Sequence, residues 1–181
     1  MSHDALEKLA ADREIRRQLH HYCRAVDRLD VELLRSVWHP DGTLDFEEPA
    51  LVGPVAELGE SLIEWYGGWA AHCVQVSNVL IEVRGDRAVS EAYTLDVLRA
   101  HPDGAGGVVD RHRRGRYVDR WSRRDGRWAI DRRQVLEAFV WEQPVVEGSI
   151  GERSRRDRSD PVYDVWAWSF EAGEEQLCPT A

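Results

Sequence analysis

Residues 72–99, HCVQVSNVLIEVRGDRAVSEAYTLDVLR, decide the fold. Positions 73–83 are rich in Val, Leu and Ile, the residues that favour extended chain. Gly85-Asp86 is a hairpin signal, because the tight two-residue turn needs a residue that accepts positive φ. Residues 87–99 then run as a second long strand, so this stretch predicts a pair of long antiparallel strands. Working outward toward the C-terminus, His101 to Gly107 carries one Pro and three Gly and reads as a loop. Residues 108–123 and 127–141 predict two more strands, joined by a turn at Asp125-Gly126.

Toward the N-terminus the period changes from two to 3.6. Ile15, Leu19, Tyr22 and Val26 follow helical spacing and predict a long first helix over 5–28, with Asp4 and Glu7 as a capping box. Asp30 predicts the cap of a short second helix, with Val31, Leu34, Val37 and Trp38 as its stripe. His39-Pro40-Asp41-Gly42 reads as the turn that ends it. Thr43 to Phe46 reads as a short strand. Pro54 predicts the first position of a third helix, with a stripe of Leu58, Leu62, Trp65 and Trp69. Three helices followed by long antiparallel strands make an α+β domain, in which a strongly twisted sheet curls and the helices close its open side. The space enclosed is a natural small-molecule pocket.

A length of 181 residues fits one domain. The expected division is a domain over 1–147 and a C-terminal tail over 148–181. That tail is Arg-rich and then aromatic (Tyr163, Trp166, Trp168, Phe170), and it reads as a lid, a subunit contact or a loosely held end. Hydrophobic residues at 43% and charged residues at 31% argue against wholesale disorder. The net charge of −9 argues against a nucleic-acid partner, which needs clustered cations. The Arg-rich runs at 111–116 and 153–158 read as solvated strand and solvated tail. Cys23, Cys73 and Cys178 are far apart, with no Cys-x-x-Cys pair and no His-x-x-x-His, so neither a metal nor another cofactor is expected. No apolar run reaches membrane-spanning length and no signal pattern opens the chain, so the expectation is a cytoplasmic protein with no membrane partner.

Four stretches carry a family likeness: Tyr22–Asp27 (YCRAVD), Val37–Asp41 (VWHPD), His72–Asn78 (HCVQVSN) and Gly115–Arg133 (GRYVDRWSRRDGRWAIDRR). With their order, residues 5–142 resemble the SnoaL-like branch of the nuclear-transport-factor-2-like superfamily. The resemblance implies a cone-shaped, curved antiparallel or mixed sheet wrapped by three N-terminal helices. Within that branch the chain looks like the bile acid 7α-dehydratase, hexachlorocyclohexane dehydrochlorinase and scytalone dehydratase group. It leans toward the hydroxyl-eliminating members, because Tyr22 stands where the dehydrochlorinase has a Lys. The resemblance implies a catalytic dyad of Asp27 and His72, assisted by Tyr22, Asp96 and Arg133, a cofactor-free reaction, and a homodimer or trimer.

Those residue types suit elimination. A neutral imidazole is a base near neutral pH, so His72 is expected to take a proton from carbon, with Asp27 orienting it. Tyr22 and Asp96 would assist the leaving group or hold a carbonyl, Asp96 through a carboxyl kept protonated by burial. Arg133 would stabilise developing negative charge. The expected reaction is loss of water or halide from a small, apolar, alicyclic or steroid-like substrate. The alternatives are a hydroxy-ketone isomerase or polyketide cyclase in the same pocket, and a non-catalytic binding module.

Overall fold

The structure, a computed structural model, describes residues 2–46, 51–148, 150–152 and 154–170; the side chains of Ser169 and Phe170, all of 171–181 and with them Cys178 lie outside the described residues. Helix α1 (His3–Arg28) buries Ile15, Leu19, Tyr22 and Val26, as their spacing predicts. In its first turns Leu6 and Leu9 are exposed. Ser2 caps it, accepting from the Ala5 N–H at 3.2 Å, and the expected capping box from Asp4 is replaced by this earlier start. Leu29 ends the helix in the left-handed region (φ 54°). Asp30 caps α2 (Val31–Ser36) through Leu33 N–H at 2.9 Å.

The segment His39-Pro40-Asp41-Gly42 is a correction. It belongs to strand β1 (Trp38–Asp45), which pairs in parallel with the last strand and carries an irregularity between Trp38 and Thr43. Pro-Gly chemistry here serves a bulge that re-aims the strand. After β2 (Val52–Pro54), helix α3 (Val55–Gly67) buries Val55, Gly59, Leu62 and Tyr66. The buried stripe is therefore rotated from the expected one, and Trp65 and Trp69 lie at its margin.

The strands β3 (Ala71–Arg84), β4 (Arg87–Arg99), β5 (Val109–Arg124) and β6 (Arg127–Pro144) form an antiparallel meander. With β1 and β2 they make one open, curved, mixed sheet in the order β2-β1-β6-β5-β4-β3. Asp125 (φ 51°) and Gly126 (φ 78°) both take positive φ, as a tight hairpin turn demands. Gly115 sits at a bulge, where a Cβ would come within 2.4 Å of the Leu136 carbonyl oxygen, so this position excludes every side chain. Alternation along β4 puts Ala92, Thr94, Asp96 and Leu98 on the concave face under the helices.

The tail adds a fourth helix, α4 (Val162–Phe170). It is held to α1 by Arg28–Asp160 at 3.3 Å and by the Arg24 guanidinium 3.9 Å from the centre of the Trp166 ring. Among the described residues no helix is long and apolar enough to cross a membrane.

Candidate active site

Two helix C-termini and the start of one strand meet at His72. Helix α1 ends beside it and leaves the Val26 carbonyl without a full helical partner. The Tyr66 carbonyl, in the last turn of helix α3, and the Trp69 carbonyl just beyond its end are held nearby by Arg156. The His72 ring is completely buried and fills the gap: its Nε2 lies 2.7 Å from Val26 O, and the Tyr66 ring stands 4.8 Å away, tilted by 35°.

Arg156, from the tail, completes the arrangement. Its Nη1 donates to Trp69 O at 2.8 Å. Its Nη2 donates to Tyr66 O at 2.7 Å and lies 2.8 Å from His72 Nδ1. Asp27 lies on the other side of the ring, with Oδ1 3.6 Å from His72 Nε2. That is close enough for charge interaction but beyond a hydrogen bond. Oδ1 instead accepts from the Val74 N–H at 3.0 Å, and the second oxygen has no hydrogen bond among the described residues.

The electrostatics follow from burial. Burial pushes the His72 pKa down to about 4, the positive charge of Arg156 adds to this, and the Val26 carbonyl opposes it. Burial pushes Asp27 up to about 7, partly countered by the Val74 N–H and by Arg28. Both groups therefore favour the neutral form, and Asp27 titrates near neutrality. Beside them opens a cavity of about 310 Å³, lined by Asp27, His72, Cys73, Val97, Ile150 and Arg156.

The other three residues lie deeper, on the concave face. Arg133 is fully buried and makes two hydrogen bonds to Asp119, at 2.8 and 2.7 Å, with its guanidinium about midway between the Tyr22 and Tyr117 rings (4.2 and 4.1 Å to their centres). Tyr22 is buried edge-on against Tyr117, its hydroxyl makes no hydrogen bond of full geometry among the described residues, and desolvation pushes its pKa up to about 12 while the adjacent Arg133 holds it down. Asp96 faces Arg113 across the β4–β5 ladder, and Arg113 donates to Glu137 at 2.9 Å. Burial pushes Asp96 up to about 6 while Arg113 holds it down. The expected open interior is thus packed with side chains, and the cavity lies at its mouth.

The structure brings Asp27 and His72 to 3.6 Å of each other without a hydrogen bond, whereas Tyr22, Asp96 and Arg133 form a separate, deeper group. Sequence reasoning missed Arg156 and Tyr66. Tyr66 carried a readable signal, since it stands four residues after Leu62 on one helical face. Arg156 carried none: it sits in an Arg-rich run that reads as solvated, and its contact with His72 spans 84 positions. Arg113 likewise belongs to a run read as solvated, and it is buried. Among the described residues no three His, Cys, Asp or Glu side chains gather as metal ligands.

Comparison with known proteins places this geometry in context. The sequence profile of the SnoaL-like domain matches residues 7–134, and a search of curated proteins finds no match. Among solved structures, the chain is similar to a putative scytalone dehydratase from Novosphingobium aromaticivorans, with 20% identity and a TM-score of 0.65. That alignment covers 81% of this chain and 96% of the other. A hexachlorocyclohexane dehydrochlorinase from Novosphingobium barchaimii is 17% identical with a TM-score of 0.63, covering 81% and 98%. A Mycobacterium tuberculosis protein of unknown function is 20% identical with a TM-score of 0.62, and there the alignment reaches 96% of this chain and 97% of the other. At these identities the structures show a shared fold and nothing finer.

Proposed function

This chain belongs to the SnoaL-like domain family, and we propose that it is a cofactor-independent lyase that eliminates water, or a halide, from a small alicyclic substrate bound at the mouth of the cup. One observation carries the reading: a partly open carboxylate, Asp27, is pushed up to about 7 beside a buried imidazole and against a cavity of about 310 Å³. A base poised near ambient pH is what proton abstraction next to a carbonyl needs.

The geometry supports giving the proton-accepting role to Asp27 rather than His72, whose two ring nitrogens are both engaged. Asp27 takes the proton from carbon. The C–H electron pair becomes the new C=C bond, and the C–O bond breaks. The departing hydroxide then collects the proton from Asp27, which releases water and restores the carboxylate. A halide would leave as the anion, and the proton would pass to solvent. In this reading Arg133 and Asp96 support the wall of the site, and Tyr22 packs it. The domain over 1–147 carries 148–181 as an appendage, of which Ile150 and Arg156 line the cavity from one side.

The exposed Tyr93, Phe139 and Trp141 on the convex face support self-association, as a dimer or trimer. Free thiols at Cys23 and Cys73 fit a reducing, cytoplasmic setting.

The test is product analysis by mass spectrometry on a panel of hydroxylated and halogenated alicyclic ketones. A lyase yields a product lighter by water or hydrogen halide, and Asp27→Asn abolishes its formation. Conserved mass would mean an isomerase or cyclase. Binding without turnover across the panel would favour a binding module, which the packed interior also fits.

A further inference from the structure

The family match ends at residue 134, yet the one side chain within hydrogen-bond distance of the His72 ring among the described residues is Arg156. A guanidinium carries only donors and keeps its proton. Its contact at 2.8 Å therefore makes Nδ1 of His72 an acceptor. The ring proton must then sit on Nε2, where it donates to Val26 O at 2.7 Å. One contact from the tail thus fixes the tautomer of a buried imidazole at the start of β3.

We propose that Arg156 is a positioning residue of the Asp27–His72 site: by occupying Nδ1 it locks His72 as the neutral Nε2–H tautomer and leaves Asp27 as the only proton acceptor of the pair. The inference rests on the lyase reading for its catalytic meaning, but the tautomer itself is independent of any reaction.

The surroundings of the ring bear this out from every side. Helix α1 contributes Asp27, beyond hydrogen-bond distance, and Arg28 at its last turn. Helix α3 contributes the Tyr66 ring and its main-chain carbonyl, the latter already bonded to Arg156. Strand β4 contributes Asp96, which acts on Asp27 and is itself held by Arg113. At the cavity rim, Arg99 and Asp110 are paired to each other at 2.6 Å. The carboxylates therefore do not offer the imidazole a hydrogen bond that would stabilise its charged form, while a cation stands against it. Nε2 lies 2.7 Å from Val26 O and 3.6 Å from Asp27 Oδ1, so its proton goes to the carbonyl and not to the carboxylate.

Arg156 also bridges the tail to the end of α3 through two carbonyls, so a purely structural clamp must be separated from this role. The experiment uses the full-length protein with ¹⁵N-labelled histidine and reads the His72 ring by NMR across a pH titration. The expected result for the unaltered chain is an unprotonated Nδ1, a protonated Nε2 and a pKa held down to about 4. Arg156→Met offers similar reach with neither charge nor donor. It is expected to raise the His72 pKa by about one unit or more and to mix the two tautomers. Arg156→Lys keeps a charged donor and is expected to keep the Nε2–H form.

A proton found on Nδ1 of the unaltered chain overturns the proposal. So does an unchanged His72 titration in Arg156→Met, or a Lys variant that behaves like Met, since packing alone would then explain the contact. Failure to find turnover while the tautomer is as expected overturns the lyase reading and leaves the positioning of His72 standing. Once a substrate is known, the same variants make a second check: the Met variant gains a His72 limb in its pH–rate profile, whereas the unaltered protein shows the Asp27 limb alone.

Discussion

The mouth and the interior of the cup contain the same kinds of residue in opposite states. In the interior, Arg133 and Asp119 are both fully buried and joined by two hydrogen bonds, so each cancels the other's charge. At the mouth, Asp27 and His72 lie 3.6 Å apart without a hydrogen bond, and burial drives both toward neutrality. The interior pair contributes rigidity, because a compensated pair has little reason to change protonation. The mouth pair is held in a state that a proton can change at low cost. Chemistry is expected where charge is left unbalanced, and an arginine that already has its carboxylate is poorly placed to meet a substrate.

The sharpest test of this contrast is Asp27→Asn. Turnover is expected to fall by about 10²–10⁴-fold, the usual worth of a positioned base, while circular dichroism and oligomeric state stay unchanged. Retained turnover would erase the distinction between the two regions.

Arg133→Met is expected to do the reverse and act on stability. Removing one partner leaves the Asp119 carboxylate buried and uncompensated, at a cost of about 3–5 kcal/mol in denaturant unfolding. A variant of normal stability with no turnover would move Arg133 into the reacting site.

Proton linkage supplies a third test. In the folded chain Asp27 titrates near 7 instead of 3.8, so folding favours its protonated form, and stability declines as pH rises between those values. His72 titrates near 4 instead of 6.5, so folding favours its neutral form, and stability declines as pH falls through that range. Between about pH 4 and 6.5 the two slopes oppose each other and nearly cancel. Asp27→Asn removes one of them. Its unfolding free energy is expected to exceed that of the parent above neutral pH by about 1–3 kcal/mol, and to drop on acidification where the parent stays flat. A parent and variant with parallel pH–stability curves would mean that Asp27 is an ordinary surface carboxylate.

The smallest effect is expected for Tyr22→Phe. The Tyr22 hydroxyl makes no hydrogen bond of full geometry among the described residues, so its removal is expected to change stability by less than about 1 kcal/mol and to leave turnover within a few-fold. A large loss of turnover alone would show that the phenol meets the substrate.

Much of the scaffold was legible because its signals are local. Gly85-Asp86 and Asp125-Gly126 mark turns through backbone φ, and Ile15 to Val26 mark a helix face through spacing. The 39–42 segment misled because a bulged parallel strand and a turn use the same Pro and Gly, and only pairing with β6 distinguishes them. The stripe on α3 misled because two registers of apolar residues coexist there, and contact with the sheet chooses Tyr66 over Trp65. In the candidate site, Asp27 and His72 could be paired by family likeness alone. Nothing near Arg133 in the sequence showed that Asp119 would claim it, and nothing near Arg156 showed that it would leave solvent.

The sequence by itself determined the first three helices and the meander, because periodicity and turn chemistry act over a few residues. Only the tertiary structure decided which charges are cancelled and which are left poised. Desolvation and pairing depend on groups far apart in the chain: Asp119 reaches Arg133 across one hairpin, and Arg156 arrives from the tail to take one nitrogen of His72.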